Sequence, residues 1–375
     1  MPPIFSPESI AQYPHGTPFF LFSIDEIKRK YKEFEKYFPG AEIRYAMKAN
    51  AEPELLETLR DLGSGFEVAS KHELEMLEKV QVAPERIIYG TSVKPAEHIA
   101  EFAKYGVDTF ACDAQSELEK IAAHAPGAKV YIRILVDDAG SVFKFSEKFG
   151  TELSNAVPLL LRAKELGLVP YGISFHVGSQ ASNPKAWAHA LATVAPIMEE
   201  LKQLGITLEI LNIGGGFPCA YASAEEQISL EEIAEHTLEA YKKLPYQPKL
   251  ILEPGRGIVA ATAVLVAHVI GRVERREHTW LFLDVGVYGG LFETMAYQGS
   301  TRYRVTSMRP SYNAGEAQFA IAGPTGDSPD VITREALLPA DIDVGDQLIF
   351  HDVGAYSLVA ISPFNGLPKP HVYFI

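Results

Sequence analysis

The stretch RYAMKANAEPELLETLRDLGSGFEVAS, residues 44–70, contains the repeating unit from which the fold can be predicted. Two short apolar runs, RYAMKA (44–49) and GFEVAS (65–70), have the composition of buried strands. Between them, PELLETLRDLG (53–63) has apolar residues at the three- and four-residue spacing of a helix, and it ends in glycine as many helices do. A strand, a helix and a second strand in this order predict two parallel strands joined by a right-handed crossover.

The same alternation continues to about residue 257. Six further strands are predicted at 86–90, 109–113, 129–134, 170–177, 208–213 and 249–254. Helical patterns separate them at 71–80, 95–106, 116–125, 157–167, 185–204 and 230–244. Eight strands in roughly 210 residues match a (β/α)8 TIM barrel of the α/β class. A doubly wound open sheet would need a glycine-rich nucleotide loop after its first strand, and KANAEP (48–53) is not such a loop.

The pattern changes after residue 257, where helical stretches become rare. Strand-like runs follow at 262–271, 279–285, 317–322, 347–351 and 356–361. We therefore predict a barrel domain over 18–257, which begins with a strand at PFFLFS (18–23), and a β-rich domain formed by 1–17 and 258–375.

Composition excludes several classes of protein. The 375 residues are 47% hydrophobic, which is enough for a large core. The two cysteines, Cys112 and Cys219, cannot form a disulfide framework, and no Cys/His cluster has the spacing of a metal site. A net charge of −14 argues against nucleic acid as a partner. No secretory pattern and no run of about 20 apolar residues occurs, so we expect no membrane span and a cytoplasmic protein.

The predicted strand ends carry an unusual set of residues. In (β/α)8 enzymes, function lies at the C-terminal ends of the strands. Here nearly every end has an ionisable or otherwise special residue: Lys48, Glu67, Tyr89, Asp113, Arg133, His176, Gly214–Gly216 and Glu253–Arg256. Because these ends converge at one mouth of a barrel, the set predicts a single site.

Lys48 lies in an otherwise apolar pattern, YAMKAN. An unpaired ammonium buried there would be unfavourable, and an imine with an aldehyde would avoid that state. The alternative is an ordinary lysine whose stem is buried and whose ammonium reaches water at a strand end. Taken alone, Lys48 favours this second interpretation.

Two motifs follow the last two barrel strands. NIGGGFP (212–218) has three glycines whose backbone N–H groups can approach an anion, at the position where such barrels bind phosphate. The alternative is a tight turn. In EPGR (253–256), the Glu253 carboxylate can pair with a protonated pyridine nitrogen, or it can form a structural pair with Arg256.

The motif HVGSQ (176–180) adds a ring-stacking group, His176, and a candidate phosphate donor, Ser179. A buried, hydrogen-bonded core histidine is the alternative, and for this residue alone it is favoured. Together, however, the motifs supply an aldehyde anchor, a phosphate site, a partner for a ring nitrogen and a stacking group. One cofactor, pyridoxal 5′-phosphate, needs all four.

Over almost its whole length the sequence resembles the fold-type III, pyridoxal-phosphate-dependent decarboxylases of ornithine, lysine and related amino acids. The resemblance is carried by YAMKAN, FEVAS, KFG (148–150), ISFHVGSQ, NIGGGFP, ILEPGR, DVGVYGG (284–290), GPTGDSPD (323–330), GAYS (354–357) and FNG (364–366). It implies an alanine-racemase-like (β/α)8 barrel with a C-terminal β-rich domain.

The resemblance also implies roles for single residues. Lys48 would carry the cofactor as a Schiff base, Glu253 would bind the pyridine nitrogen, and His176 would stack on the ring. Glu67 and Arg133 would lie near the cofactor. The phosphate would be held by Ser179, Gly215, Gly216, Gly255, Arg256 and Tyr356.

The implied reaction removes carbon dioxide from an L-amino acid and leaves an amine, as in polyamine biosynthesis. The family forms a head-to-tail homodimer with active sites at the interface. Asp327, in the GPTGDSPD loop, would therefore act in the partner's site. The other residues expected to contact the substrate are Tyr288, Tyr297 and Phe364.

Two positions depart from the family. Gly326 stands where GPTCD has a cysteine that returns a proton to Cα, and Tyr297 stands where basic-amino-acid decarboxylases have an acidic residue. Diaminopimelate decarboxylases usually have Glu in place of Asp327, which argues against them. Three hypotheses follow: a decarboxylase of ornithine, lysine or a related basic amino acid; a relative with altered substrate or chemistry, such as decarboxylation coupled to transamination; or a non-catalytic binding protein in the manner of antizyme inhibitors.

Overall fold

The computed structural model describes residues 5–13, 16–145, 147–222, 228–296, 301–309 and 315–375. Eight parallel strands form a closed barrel, in which the eighth strand pairs with the first. The predicted (β/α)8 barrel is thus confirmed. Its strands, numbered one to eight along the chain, are Glu42–Ala46, Gly65–Val68, Ile87–Tyr89, Thr109–Cys112, Lys129–Arg133, Val169–Ser174, Ile210–Asn212 and Lys249–Leu252.

Apolar side chains hold the barrel together. A cluster of buried residues from strands three, four, five, seven and eight packs in it, formed by Ile88, Ala111, Tyr131, Ile210 and Ile251. Helices alternate with the strands and pack on one another through their apolar faces. They span Ile24–Tyr37, Pro53–Asp61, Lys71–Lys79, Ala96–Tyr105, Gln115–His124, Leu153–Glu165, Ala186–Gln203 and Leu230–Tyr241. Shorter helices are Pro7–Ile10, Arg256–Val259 and Phe292–Ala296.

Several barrel strands end earlier than predicted, and this changes where the polar residues lie. The first strand ends at Ala46, and Lys48 follows in a 3₁₀ turn, Met47–Ala49. His176 and Glu253 likewise lie in loops, two residues and one residue after their strands. Because residues that follow a strand are not bound by the alternating side-chain directions of the sheet, their side chains can turn toward the barrel mouth.

A second, mixed sheet has eight strands. They are Phe19–Phe22, Ala263–Arg275, His278–Leu283, Val305–Ser307, Glu316–Ala322, Val331–Pro339, Gln347–His351 and His371–Phe374. Four predicted strands of this domain are confirmed. The fifth, 356–361, is wrong, because Tyr356 has a left-handed φ of 56° that interrupts the extended chain, and Leu358–Ala360 forms a 3₁₀ turn.

The strand Phe19–Phe22 belongs to this second sheet, where it pairs with Ala263–Arg275 and His371–Phe374. The contacts of the chain divide it into two compact units. The sheet unit comprises Met1–Ile27, Cys219–Glu225 and Ile258–Ile375, and the barrel unit comprises Lys28–Pro218 and Glu226–Gly257. This division falls inside the helix Ile24–Tyr37. Among the described residues, no helix is both long and apolar enough to span a membrane.

Candidate active site

Lys48 and Glu67 form an ion pair at the mouth of the barrel. The Lys48 Nζ lies 3.0 Å from Glu67 Oε2, and the lysine side chain is 42% exposed while that of the glutamate is 5% exposed. Gly90 makes room for this carboxylate, because a Cβ at that position would lie 2.3 Å from Glu67 Oε1. The amine is therefore oriented by a buried carboxylate and still open to a ligand.

Glu253 is held from one side only. Its Oε1 accepts a hydrogen bond of 2.6 Å from Asn212 Nδ2, while Oε2 makes no hydrogen bond within the described part of the chain. Burial, and next the nearby charge of Glu67, raise the pKa of Glu253 above its usual value. A cationic N–H group at Oε2 would relieve this cost, which is what a protonated pyridine nitrogen offers.

His176 is a neutral ring in this site. Burial, and next the charges of Arg133 and Lys48, hold the pKa of His176 well below its usual value. Its Nδ1 accepts a hydrogen bond of 3.1 Å from the backbone N–H of Gly178, and the edge of Phe145 packs against the ring with 5.0 Å between centroids. An uncharged imidazole that is fixed in this way suits stacking on a planar ligand.

The glycine loop after strand seven provides an anion site. Gly216 has a left-handed φ of 97°, and a Cβ on Gly215 would lie 2.6 Å from the backbone oxygen of Glu253. Neither N–H of these two glycines, nor that of Gly255, donates a hydrogen bond within the described residues. These donors are available to an anion such as phosphate.

Arg256 adds a positive charge beside this loop. The residue is buried, its Nη2 lies 3.5 Å from Ser179 Oγ, and its guanidinium packs over Phe143 at 5.3 Å from the ring centroid. Arg133 packs similarly over Phe149, at 5.6 Å. The barrel unit thus contains an accessible amine, a buried carboxylate with an open oxygen, a neutral imidazole and an anion site. This set fits pyridoxal phosphate.

Asn212 was missed by sequence reasoning, although the motif NIGGGFP begins with it. Its Nδ2 donates to Glu253, and its Oδ1 accepts a hydrogen bond of 2.9 Å from the N–H of Gly214. One side chain therefore orients both the carboxylate and the start of the glycine loop. The signal in the sequence was a polar residue at the end of an otherwise apolar strand.

Four other predicted residues, Tyr288, Asp327, Tyr356 and Phe364, lie in the sheet unit. Tyr288 donates a short hydrogen bond to Asp327 Oδ2 and stacks on Phe364 with 4.4 Å between ring centroids. Tyr356 follows Gly354 in a turn of the same unit. Tyr297 lies outside the described residues.

Asp330, which was also missed, shapes the GPTGDSPD loop. Its carboxylate accepts hydrogen bonds from the N–H of Val287 at 2.9 Å and from the N–H and hydroxyl of Thr325 at 3.1 and 2.7 Å. A Cβ on Gly286 or Gly323 would lie within 2.4 Å of this carboxylate. The loop that contains Asp327 and the turn that contains Tyr288 are therefore tied together through one buried residue.

Comparison with known proteins identifies the family. A family model, "Pyridoxal-dependent decarboxylase, pyridoxal binding domain", matches residues 24–260. A lysine/ornithine decarboxylase of Selenomonas ruminantium is 34% identical over 93% of this chain and 87% of its own length. Antizyme inhibitor 2 of Xenopus laevis is 33% identical over 97% of this chain and 82% of its own. The crystal structure of the Paramecium bursaria Chlorella virus arginine decarboxylase bound to agmatine has a TM-score of 0.91, with 29% identity over 98% of both chains.

The chain belongs to the family of pyridoxal-dependent decarboxylases. This confirms the predicted resemblance, the pyridoxal phosphate cofactor and the enzyme class, a carboxy-lyase that acts on amino acids.

Proposed function

We propose that this protein removes carbon dioxide from ornithine, lysine or a related basic L-amino acid and releases the amine. The observation that carries the proposal is the pair formed by Lys48 and Glu67 at 3.0 Å, in the same barrel mouth as Glu253 and His176. A reactive amine beside a carboxylate is what an aldehyde cofactor requires of its protein.

When bound, pyridoxal phosphate supplies an aldehyde for amines and a ring that accepts the electron pair left by carbon dioxide. Lys48 would hold the aldehyde end of the cofactor, and its amine would be placed to carry a proton. Glu253, oriented by Asn212, would hold the ring nitrogen in its protonated form. His176 would support the ring face. The phosphate would be held by Arg256 with the other predicted donors, which are Ser179, Gly215, Gly216, Gly255 and Tyr356.

Asp327 supports the preference for a basic substrate. Its carboxylate can accept hydrogen bonds from a distal ammonium. The Tyr288 hydroxyl donates to this carboxylate and orients it. As in the resemblance, we propose a homodimer in which this loop completes the partner's site. Phe364, stacked on Tyr288, would form an apolar wall along the substrate's methylene groups.

A second candidate, altered chemistry, is favoured by Gly326. A Cβ at this position would meet nothing within 4 Å, and the residue is absent from the positive-φ positions. Within the described residues, neither the backbone conformation nor crowding requires glycine here. If proton return to Cα fails without the family's cysteine thiol, the amino group would remain on the cofactor and water would supply the oxygen of an aldehyde product, so Gly326→Cys should raise the share of amine product.

The non-catalytic alternative keeps some support from the antizyme inhibitor relative. A protein of that kind has no need of an anchoring lysine, so the role of Lys48 distinguishes a decarboxylase from a non-catalytic binding protein. We expect Lys48→Ala to remove the visible absorbance of the bound cofactor, while Lys36→Ala, at an exposed lysine on a helix, leaves it unchanged.

The test is product analysis by mass spectrometry. The purified protein with pyridoxal phosphate is offered ornithine, lysine, arginine, diaminopimelate and a panel of neutral amino acids. Release of a diamine from ornithine or lysine supports the proposal. Aldehydes from these substrates would support the second candidate, and no turnover of any substrate, with the wild-type absorbance also absent, would support the third.

A further inference from the structure

A cleft of about 670 Å³ lies within the sheet unit, on one face of its strands, and Asp327 is one of the residues that line it. This volume is in the range of small-molecule sites. The lining is basic as well as acidic, because three arginines, Arg275, Arg276 and Arg334, also belong to it. None of the roles proposed above uses these arginines.

Three carboxylates, Glu277, Asp327 and Asp330, line the cleft beside the three guanidinium groups, so the formal charges balance but are not paired directly. Within the described residues, none of them lies within ion-pair distance of a carboxylate. Among the acidic residues of the cleft, Asp330 is occupied by its three donors from Val287 and Thr325, and Asp327 by the Tyr288 hydroxyl. Glu277 is exposed on the hairpin turn. In the described part of the chain, the three guanidinium groups therefore keep hydrogen-bond donors that no carboxylate contacts.

Aromatic side chains hold two of the arginines in place. The Arg334 guanidinium lies 4.9 Å from the ring centroid of Trp280, and that of Arg275 lies 5.8 Å from Phe282. Trp280 and Phe282 are two residues apart in one strand and so point to the same face. Stacked guanidinium groups keep their edges free for hydrogen bonds to a planar anion. This geometry favours a carboxylate.

The hairpin turn brings the third arginine to the same place. Arg276 and Glu277 connect the strands that end at Arg275 and begin at His278, and Arg276 has a left-handed φ of 54°. Glycine, asparagine or aspartate is usual at such a position. Arginine adopts this conformation at some cost in backbone strain.

We propose that this cleft binds a carboxylate at the far end of the substrate's side chain. The substrate is then a derivative of ornithine or lysine whose distal nitrogen, bound by Asp327, bears a substituent that ends in an acid. This inference rests on the proposed function, since it names the substrate class for the same site. Arg334 and Arg275 bind the carboxylate, and Arg276 adds charge at the rim.

Binding can be measured without turnover, because Trp280 reports on the cleft. The holoenzyme is titrated with glutarate at constant ionic strength, and tryptophan fluorescence is followed. We expect a saturable change that glutaramide, the uncharged analogue, does not produce. The change should be absent in Trp280→Phe, which leaves Trp187 as the only tryptophan of the chain.

Matched arginine variants test the assignment. Arg334→Gln and Arg275→Gln should each weaken glutarate binding about tenfold or more, as expected for loss of a charged hydrogen bond. Arg334→Lys should weaken it less. Arg309→Gln, at an exposed arginine of the same unit that pairs with Asp346, should leave it unchanged.

A second arm compares Nδ-succinyl-ornithine with Nδ-acetyl-ornithine as substrates. We expect a higher kcat/KM for the succinyl compound, and loss of that advantage in Arg334→Gln. The inference is overturned if glutarate gives no saturable change, or if Arg334→Gln binds glutarate as tightly as Arg309→Gln does. It is also overturned if Arg334→Gln forms a smaller assembly than the wild type in sedimentation, because the arginines would then belong to a subunit contact. Turnover of ornithine alone with no glutarate binding would overturn the inference and leave the proposed function intact.

Discussion

Asn212 orients Glu253, the residue that we propose binds the ring nitrogen of the cofactor. Its amide donates to one carboxylate oxygen and accepts the N–H of Gly214, so one side chain aligns two parts of the site. Without it, the buried carboxylate loses a hydrogen bond that favours its charged form, and the pKa of Glu253 should rise further. A protonated Glu253 holds a protonated pyridine nitrogen poorly.

We therefore expect Asn212→Ala to weaken cofactor binding about tenfold or more, the effect of one hydrogen bond to a charged group. The dissociation constant of pyridoxal phosphate, measured by absorbance, checks this. Asn155→Ala, at an exposed helix position where the amide donates to the Thr151 hydroxyl, serves as the control. Equal affinities in the two variants would assign Asn212 a merely local role in the loop.

His351 gives a prediction about pH. Burial, and next the charge of Arg304, lower the pKa of His351 to about 4, while Thr306 Oγ1 lies 2.8 Å from its Nε2. Between about pH 4 and pH 6.5 the unfolded chain binds a proton at this residue and the folded chain does not, so the free energy of unfolding rises with pH across that window.

His351→Gln cannot titrate, so its free energy of unfolding should depend less on pH over the same window. Urea denaturation at several pH values measures the two slopes. Parallel curves for wild type and His351→Gln would mean that the histidine is protonated in the folded protein as well.

The loop after strand seven depends on glycine for two separate reasons. Gly216 has a left-handed φ, and a Cβ there would also lie 2.4 Å from the backbone oxygen of Gly178. Gly205, at the end of a helix, has a φ of 73° but open space around it. The two positions therefore separate conformational strain from a backbone clash.

Gly205→Ala should lower the free energy of unfolding by about 1 kcal/mol, the cost of a left-handed backbone with a Cβ. Gly216→Ala should lower it by more, because the chain must also move away from Gly178, and cofactor affinity should fall with it. Denaturant titration and cofactor binding of both variants provide the measurements. Similar losses in the two variants would contradict the crowding at Gly216.

The barrel elements could be predicted from the sequence because their pattern is strong, but their ends could not. Alternating apolar runs and helical spacing gave the eight strands, yet Lys48 lies in a turn past its strand. The strands Val305–Ser307, Val331–Pro339 and His371–Phe374 were not predicted, since their short or irregular patterns gain stability only from neighbours in the sheet. Nor does any local pattern reveal that Tyr356 has a left-handed φ.

The same limit applies to the site. Lys48, Glu253 and the glycines carry recognisable chemistry in their own motifs. Asn212 and Asp330 act through hydrogen bonds to partners that are 41 and 43 residues away in the chain, and only the fold reveals them. Residue type predicts which groups react with a cofactor, but the residues that orient those groups depend on tertiary contacts.

At the scale of the whole molecule, the proposed homodimer makes a quantitative prediction. If Asp327 acts in the partner's site, then Lys48→Ala and Asp327→Ala subunits complement each other. In a mixed dimer, one site receives a wild-type Lys48 from one subunit and a wild-type Asp327 from the other. Random reassociation makes half of the dimers mixed, each with one intact site of two, so the mixture should recover about a quarter of wild-type activity.

The two inactive variants are mixed in equal amounts, allowed to exchange subunits, and assayed with whichever substrate the product analysis identifies. A mixture of Lys48→Ala with Glu253→Ala is the control, because both residues lie in the barrel unit and every site then lacks one of them. Recovery in the first mixture alone would establish sites shared between subunits. If neither mixture recovers although subunits exchange, Asp327 acts within its own chain, because complementation requires the two groups to come from different subunits.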